Sequence, residues 1–219
     1  MNTHIPSRTA FETAPDPPSR RERKRTETRQ RIFRAAMKLF AKRGILNTTV
    51  EDITEAADVG KGTFFNYFPS KEHVLAVLLE TQLAKVTEAQ DAAESGKHSI
   101  REVLRQFMDR IVEEPARSQQ LARGLIATVS SSPAVRAMMV ETFAQGRKIL
   151  AGVLQRGQQR GEIGGDVKPA EMARVFQQNV LGAVLFWSMS SSADLHQLLE
   201  PSFEIFWAGI RSQESGVKS

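Results

Sequence analysis

From Thr28 onward the apolar residues recur at helical spacing, and no segment shows the alternation of a half-buried strand bounded by hairpin turns. The clearest stretch is Ile32, Ala35, Ala36, Leu39 and Phe40. It forms one face of a helix that begins near Thr28, carries arginines on its other side and stops at Gly44. A short second helix follows. Thr48 with Glu51, or Thr49 with Asp52, supplies a capping box at its start, and Val50, Ile53 and Ala57 share its inner face. Asp58 then falls in a turn where a left-handed backbone is expected, which Asp tolerates better than most residues with a side chain. A very short third helix spans about Lys61 to Tyr67 and is broken by Pro69-Ser70.

The remainder reads as longer helices. The fourth runs from Lys71 to about Glu94, and the fifth opens on the capping box Ser99-Ile100-Arg101-Glu102. Proline, suited to a first helical turn, opens the sixth at Pro115, the seventh at Ser132-Pro133 (ending near Gly161) and the eighth at Pro169. The ninth covers about Asp194 to Ser212. The expected fold class is therefore all-α with about nine helices. Residues 1–19, with Pro6, Pro15, Pro17 and Pro18, form a disordered tail; 20–70 form a basic arm and a three-helix helix-turn-helix domain; 71–219 form a larger helical domain.

Charge and chemistry narrow the function. The net charge is +5, but residues 20–43 hold eleven Lys and Arg against only Glu22 and Glu27. That asymmetry points to a polyanion at the N-terminal end, or to a solvated tail. The absence of cysteine excludes disulfides, zinc ribbons and thiol nucleophiles. His4, His73, His98 and His196 show no metal-ligand spacing. Glu113-Glu114 before Pro115 reads as a helix boundary, and Gly161 with Gly164-Gly165 follows no strand and makes no phosphate loop. No metal, cofactor or catalytic set is expected, and so no enzyme. No apolar run reaches the roughly 18 residues of a membrane span, and no secretory leader opens the chain, so a cytoplasmic protein without a membrane partner is expected.

The segment from Thr49 to Phe68 carries the functional signal. Its two short helices have apolar residues only where they pack, and the exposed side of the third offers Lys61, Thr63, Asn66 and Tyr67. A cation, a hydroxyl, an amide and a phenol are side chains a major groove can use. Gly62 leaves room for close approach of backbones. Lys71 stands in the first turn of the fourth helix, where the dipole disfavours a cation but an incoming phosphate favours one.

Here the chain resembles the TetR/AcrR family of transcriptional regulators. The likeness covers about 50 residues. It rests on Thr28-Arg29, Ile32, Ala35-Ala36, Leu39-Phe40, Gly44, Thr48-Thr49-Val50, Ile53, Ala57-Asp58-Val59 and the run from Gly62 through Phe68-Pro69-Ser70-Lys71-Glu72. The resemblance implies that Thr49 holds a phosphate, that Lys61, Thr63 and Asn66 face the groove, and that Tyr67 and Lys71 grip the backbone. Two departures stand out: Asp58 replaces the family's usual glycine, and Phe65 replaces a common tyrosine. Farther on, only Gly161-Glu162-Ile163, the helix start at Pro169 and the stretch from Gly182 to Trp187 look familiar.

From Val180 to Met189 the eighth helix is apolar nearly all round, so both sides need cover. One side packs on its own domain. The other is expected on a second copy, with Gly182, Ala183, Phe186 and Trp187 joined by Phe203 and Phe206 of the ninth helix; the alternative is one central helix of a monomer. The resemblance implies dimerisation by this region and a pocket for a small apolar or amphipathic effector, lined by Phe107, Met108, Met139, Phe143, Phe176 and Asn179. The same residues also fit an ordinary core. Asn179 could orient a ligand, fix dimer register or bond a neighbouring helix. The expected function is a homodimeric repressor released from a near-palindromic duplex by its effector. The rivals are an activator or effector-independent regulator of the same fold, and a helical enzyme or binding protein with a basic arm.

Overall fold

A computed structural model describes residues 19–190 and 194–212. Among the described residues the chain forms α1 (Arg20–Arg43), α2 (Val50–Ala56), α3 (Lys61–Phe65), α4 (Leu75–Ser95), α5 (Ile100–Val112), α6 (Gln119–Ser131), α7 (Pro133–Gln159), α8 (Pro169–Met189) and α9 (Leu195–Ile210). Short 3₁₀ turns at Glu72–Val74 and Pro115–Arg117 precede α4 and α6. The described residues contain no strand, only an isolated bridge between Ile163 and Arg211. Except for Ser19, the tail expected over 1–19 lies outside the described residues.

Several boundaries differ from the expected ones, each for a local reason. Helix α1 starts at Arg20, two turns before Thr28. The Ser19 hydroxyl accepts from the Glu22 amide (3.2 Å), and the Glu22 carboxylate accepts from the Ser19 amide (2.7 Å). This capping box and the helix-forming Arg, Glu and Lys residues sustain an exposed helix that apolar periodicity does not mark. The Glu72–Val74 stretch winds as a 3₁₀ turn, so the fourth helix begins at Leu75 rather than Lys71. The Pro115 turn is likewise 3₁₀; α6 starts after Ser118, whose hydroxyl caps the Leu121 amide at 3.0 Å. Helix α2 uses the Thr49–Asp52 capping box of the two that were open. Asp58 has φ 50°, the only positive φ at a non-glycine among the described residues.

Two apolar clusters organise the chain. The head cluster joins Ile32 and Phe40 of α1, Ile53 of α2, Phe64 of α3 and Phe68, all essentially sealed from solvent. It is closed by Leu75 and Leu78 of α4, Leu121 of α6 and Val135 of α7. The body cluster joins Ile100, Leu104 and Phe107 of α5, Leu154 of α7, Met172 and Phe176 of α8, and Phe203 of α9. The rings of Phe107, Phe176 and Phe206 pack in series, at 5.9 and 5.4 Å between centroids.

The Gly161-Glu162-Ile163 stretch has a packing role. The Ile100 amide at the start of α5 donates to the Glu162 carboxylate at 2.6 Å. Ile163 presses against Gly157, where an added Cβ would lie 2.6 Å from its side chain. Arg160 donates to the His98 carbonyl at 3.0 Å and so ties the end of α7 to the turn before α5.

Candidate nucleic-acid interface and ligand cavity

Helix α3 stands on a buried aromatic base. Phe64 and Phe68 face inward with centroids 5.7 Å apart, and Arg29 lies over the Phe68 ring while its guanidinium pairs with both Glu80 oxygens at 2.6 Å. This locks α1 and α4 behind α3. On the outer side, Lys61, Gly62, Phe65 and Asn66 are exposed, and Thr63 and Tyr67 are half-buried. A Cβ at Gly62 would meet nothing within 4 Å, so its space is open toward a partner. Phe65 is 52% exposed, an apolar ring among polar neighbours that the sequence motif did not single out as a contact.

The charged groups around this surface are already partnered, with different strengths. Lys61 pairs with Glu51, whose carboxyl is held below its ordinary value chiefly by the hydrogen bond from Lys61. Both side chains are more than half exposed, so solvent screens the pair and a stronger partner can displace it. The Thr49 hydroxyl donates to Asp52 at 2.7 Å and accepts from the Asp52 amide at 3.1 Å. The bonds that the Thr49 hydroxyl and the Thr49 amide (2.8 Å) donate to the carboxylate, then Arg43 at 2.7 Å, bring the Asp52 carboxyl down to about 2.

Lys71 has partners within the head. Its ammonium donates to the carbonyls of Ile45 (2.9 Å) and Thr48 (2.8 Å), with Leu46 farther off at 3.4 Å. Charged hydrogen bonds of this kind contribute about 1.5–3 kcal/mol each, more than an exposed ion pair. Lys71 therefore clamps the α1–α2 connection.

The main cavity lies in the body. It has a volume of about 210 Å³, and Phe107, Met139, Phe143 and Phe176 line it as anticipated. Met108 and Asn179 do not. They border a separate crevice between α5, α8 and α9 of about 10 Å³, with Phe176 and Val180 standing between the two spaces. The resemblance implies a pocket within helices four to eight but names no lining residue of the fourth or sixth; Leu75, Leu78 and Gln82 of α4 and Ile126 of α6 all line the cavity. Arg147 and Gln177 line it as well, joined by a 2.7 Å hydrogen bond.

The outer face of α8 also differs in detail. Ala183, Trp187, Phe203 and Phe206 are buried within the chain's own core, on the sides of α8 and α9 that pack against the other helices of the chain. Gly182 and Phe186 remain on the other side, with exposed Leu181, Leu185 and Met189 of α8 and Ile205 of α9. The spacing of Leu181, Leu185 and Met189 by four marks a second apolar stripe that the sequence does display. Among the described residues no helix is long and apolar enough to cross a membrane, and no group of three or more His, Cys, Asp or Glu could hold a metal.

Comparison with known proteins agrees with this arrangement. Residues 32–78 match the family model for bacterial regulatory proteins of the tetR family, and residues 95–200 match the tetracyclin repressor-like C-terminal domain. The chain is similar to the HTH-type transcriptional regulator TcmR of Streptomyces glaucescens, 27% identical over 209 residues that cover 92% of this chain and 90% of that one. It is similar also to the HTH-type transcriptional repressor DhaR of Mycobacterium sp. strain GP1, 26% identical, covering 82% and 92%. Among solved structures it resembles Thermus thermophilus FadR, described as a TetR-family transcriptional repressor in complex with lauroyl-CoA: TM-score 0.63, 29% identity, 87% of this chain and 99% of that chain. With its head built on the α2–α3 helix-turn-helix and its body matching the family's C-terminal domain, the chain belongs to the TetR family of DNA-binding transcriptional regulators.

Proposed function

We propose that this protein is a homodimeric repressor that places α3 of each subunit in the major groove of a near-palindromic operator and is released by a small apolar or amphipathic effector. The observation that carries this reading is the outer side of α3. Lys61, Thr63 and Asn66 offer hydrogen bonds to base edges, Phe65 offers an apolar surface to a thymine methyl, and Gly62 allows close approach. Thr49 and Tyr67 flank it on the phosphates. The exposed N-terminal turns of α1, with Arg20, Arg21, Arg23, Lys24 and Arg25, add a helical basic surface; Arg31, farther along, reaches the Asp58 carbonyl at 3.4 Å beside the helix-turn-helix turn.

Release follows from shared walls. Leu75, Leu78 and Val135 line the cavity and belong to the head cluster. A ligand that fits one packing of these residues better than the other shifts the heads between two spacings, only one of which matches successive major grooves. The lauroyl-CoA bound by the Thermus relative supports an amphipathic ligand. The exposed α8 stripe with Ile205 supports pairing of two copies. The test is selection of preferred sites from random duplexes, followed by titration against salt. A dimer gripping about six to ten phosphates gives a log–log slope near −0.9 per phosphate and a two-fold symmetric site. Equal affinity for scrambled duplexes would overturn the reading.

A further inference from the structure

The cavity walls are apolar except at a few points, and one of these is a cation. Arg147 of α7 lines the space, is partly buried and spends one N–H on the Gln177 oxygen at 2.7 Å. It makes no ion pair with any described carboxylate. By contrast Lys85, the other cation buried near this region, is matched by Glu114 at 2.7 Å and Glu113 at 3.3 Å. A guanidinium stays charged at any ordinary pH, so a ligand that seals the cavity must either leave that charge desolvated and unpaired or bring an anion to it. The Gln177 bond leaves the other guanidinium N–H groups for a bidentate partner. A second handle is Gln82 of α4, whose Oε1 is buried without a hydrogen-bond partner while its Nε2 donates to Glu114 at 3.3 Å.

We propose that the cavity takes an apolar monoanion, its carboxylate or equivalent acid group on Arg147 and its hydrocarbon body among Leu79, Leu83, Phe107, Ile126, Phe143 and Phe176. This rests on the effector reading above and names the ligand class for that site. At about 210 Å³ the space exceeds the roughly 150 Å³ that admits benzene, which sets the body at about eight to ten non-hydrogen atoms. Medium-chain alkyl carboxylates and aryl carboxylates have that size and charge. Any hydroxyl or N–H on the body finds an acceptor in Gln82.

The test uses octanoate and 1-octanol on the full chain, with binding by calorimetry and operator release by anisotropy measured separately. Octanoate is expected to bind at least about tenfold more tightly than the alcohol. Arg147→Gln should erase that preference while leaving affinity for the alcohol within about twofold, and Arg147→Lys should keep part of it, which separates lost charge from lost folding. Equal affinity for acid and alcohol in the wild type overturns the proposal. So does a preference that survives Arg147→Gln, or no binding of either probe at about millimolar concentration. Arg147-dependent binding of octanoate without operator release upholds the ligand class and overturns the effector reading instead.

Discussion

The Ser118 hydroxyl donates to the Ala41 carbonyl at 2.9 Å while accepting from the Leu121 amide at 3.0 Å, so one side chain caps α6 and fastens it to the end of α1. Beside it, Gly124 sits close enough to Ile45 that an added Cβ would lie 3.4 Å from that side chain. Ser118→Ala removes both hydrogen bonds. It is expected to lower stability by about 1–2 kcal/mol, seen as an earlier midpoint in urea, with unchanged base preference. An unshifted midpoint would show that water replaces the hydroxyl at no cost.

Grip and readout separate by residue. Lys61→Ala and Asn66→Ala are expected to relax preference at one or two base positions by about 1–3 kcal/mol each while the thermal midpoint holds. Lys71→Ala is expected to do the reverse. It strands carbonyls of the α1–α2 connection and lowers stability by about 1–3 kcal/mol, with any loss of operator affinity common to all sequences. Base selection on each variant, paired with melting curves, checks the assignment.

Asp58 occupies the left-handed region at φ 50°. Asp58→Gly relieves that strain and is expected to be neutral or stabilising, whereas Asp58→Val should cost about 1–2 kcal/mol. Thermal melts of the two variants should fall on opposite sides of the wild type, or at least differ in that order.

Acid should loosen the head through Asp52. Its carboxyl is lowered to about 2 by the hydrogen bonds from Thr49 and then by Arg43. A carboxyl lowered by folding contributes stability above its unfolded value, near 4, and loses it as pH falls toward 2. The difference between wild type and Asp52→Asn in denaturation midpoint should therefore be full above about pH 5 and shrink through this window. A difference independent of pH would assign the effect to packing.

Dimerisation can be tested without disturbing the subunit. A Cβ at Gly182 meets nothing within 4 Å in the single chain, so Gly182→Leu has room there and crowds only a partner lying against α8. Overpacking of about 1–3 kcal/mol per site should shift sedimentation toward monomer and abolish operator binding, while circular dichroism stays native. A dimer that persists at micromolar concentration would move the interface off this face.

The head was readable from its residues because every signal in it is local. The Thr49–Asp52 cap, the Asp58 turn and the buried pair Phe64 and Phe68 all act within a few positions of one another. The carbonyl partners of Lys71, Ile45 and Thr48, were not legible because they lie more than twenty residues back along the chain. The α1 start at Arg20 was missed because an exposed helix has no apolar stripe, though Ser19 and Glu22 were present as a capping box. In the body, Phe107, Met139, Phe143 and Phe176 sort from Met108 only through the rotation of packed helices. The same holds for Trp187, buried, against Phe186, exposed: neighbours in sequence, about 100° apart around α8.

Leu75, Leu78 and Val135 serve two masters, the cavity wall and the packing beneath the DNA-reading helices. This matters for anyone who would retune the protein as a sensor. On the proposed effector reading, exchanges at Phe143 or Met139, outside the head cluster, are expected to alter which molecule is detected while leaving the resting output alone. Exchanges at the three shared positions are expected to change the response in the absence of any inducer, so libraries aimed at new specificities should hold them constant. Linkage adds a reciprocal effect: operator DNA weakens inducer binding by the factor with which inducer weakens operator binding. A biosensor built on this chain would therefore become less sensitive as the number of operator copies in the cell is raised.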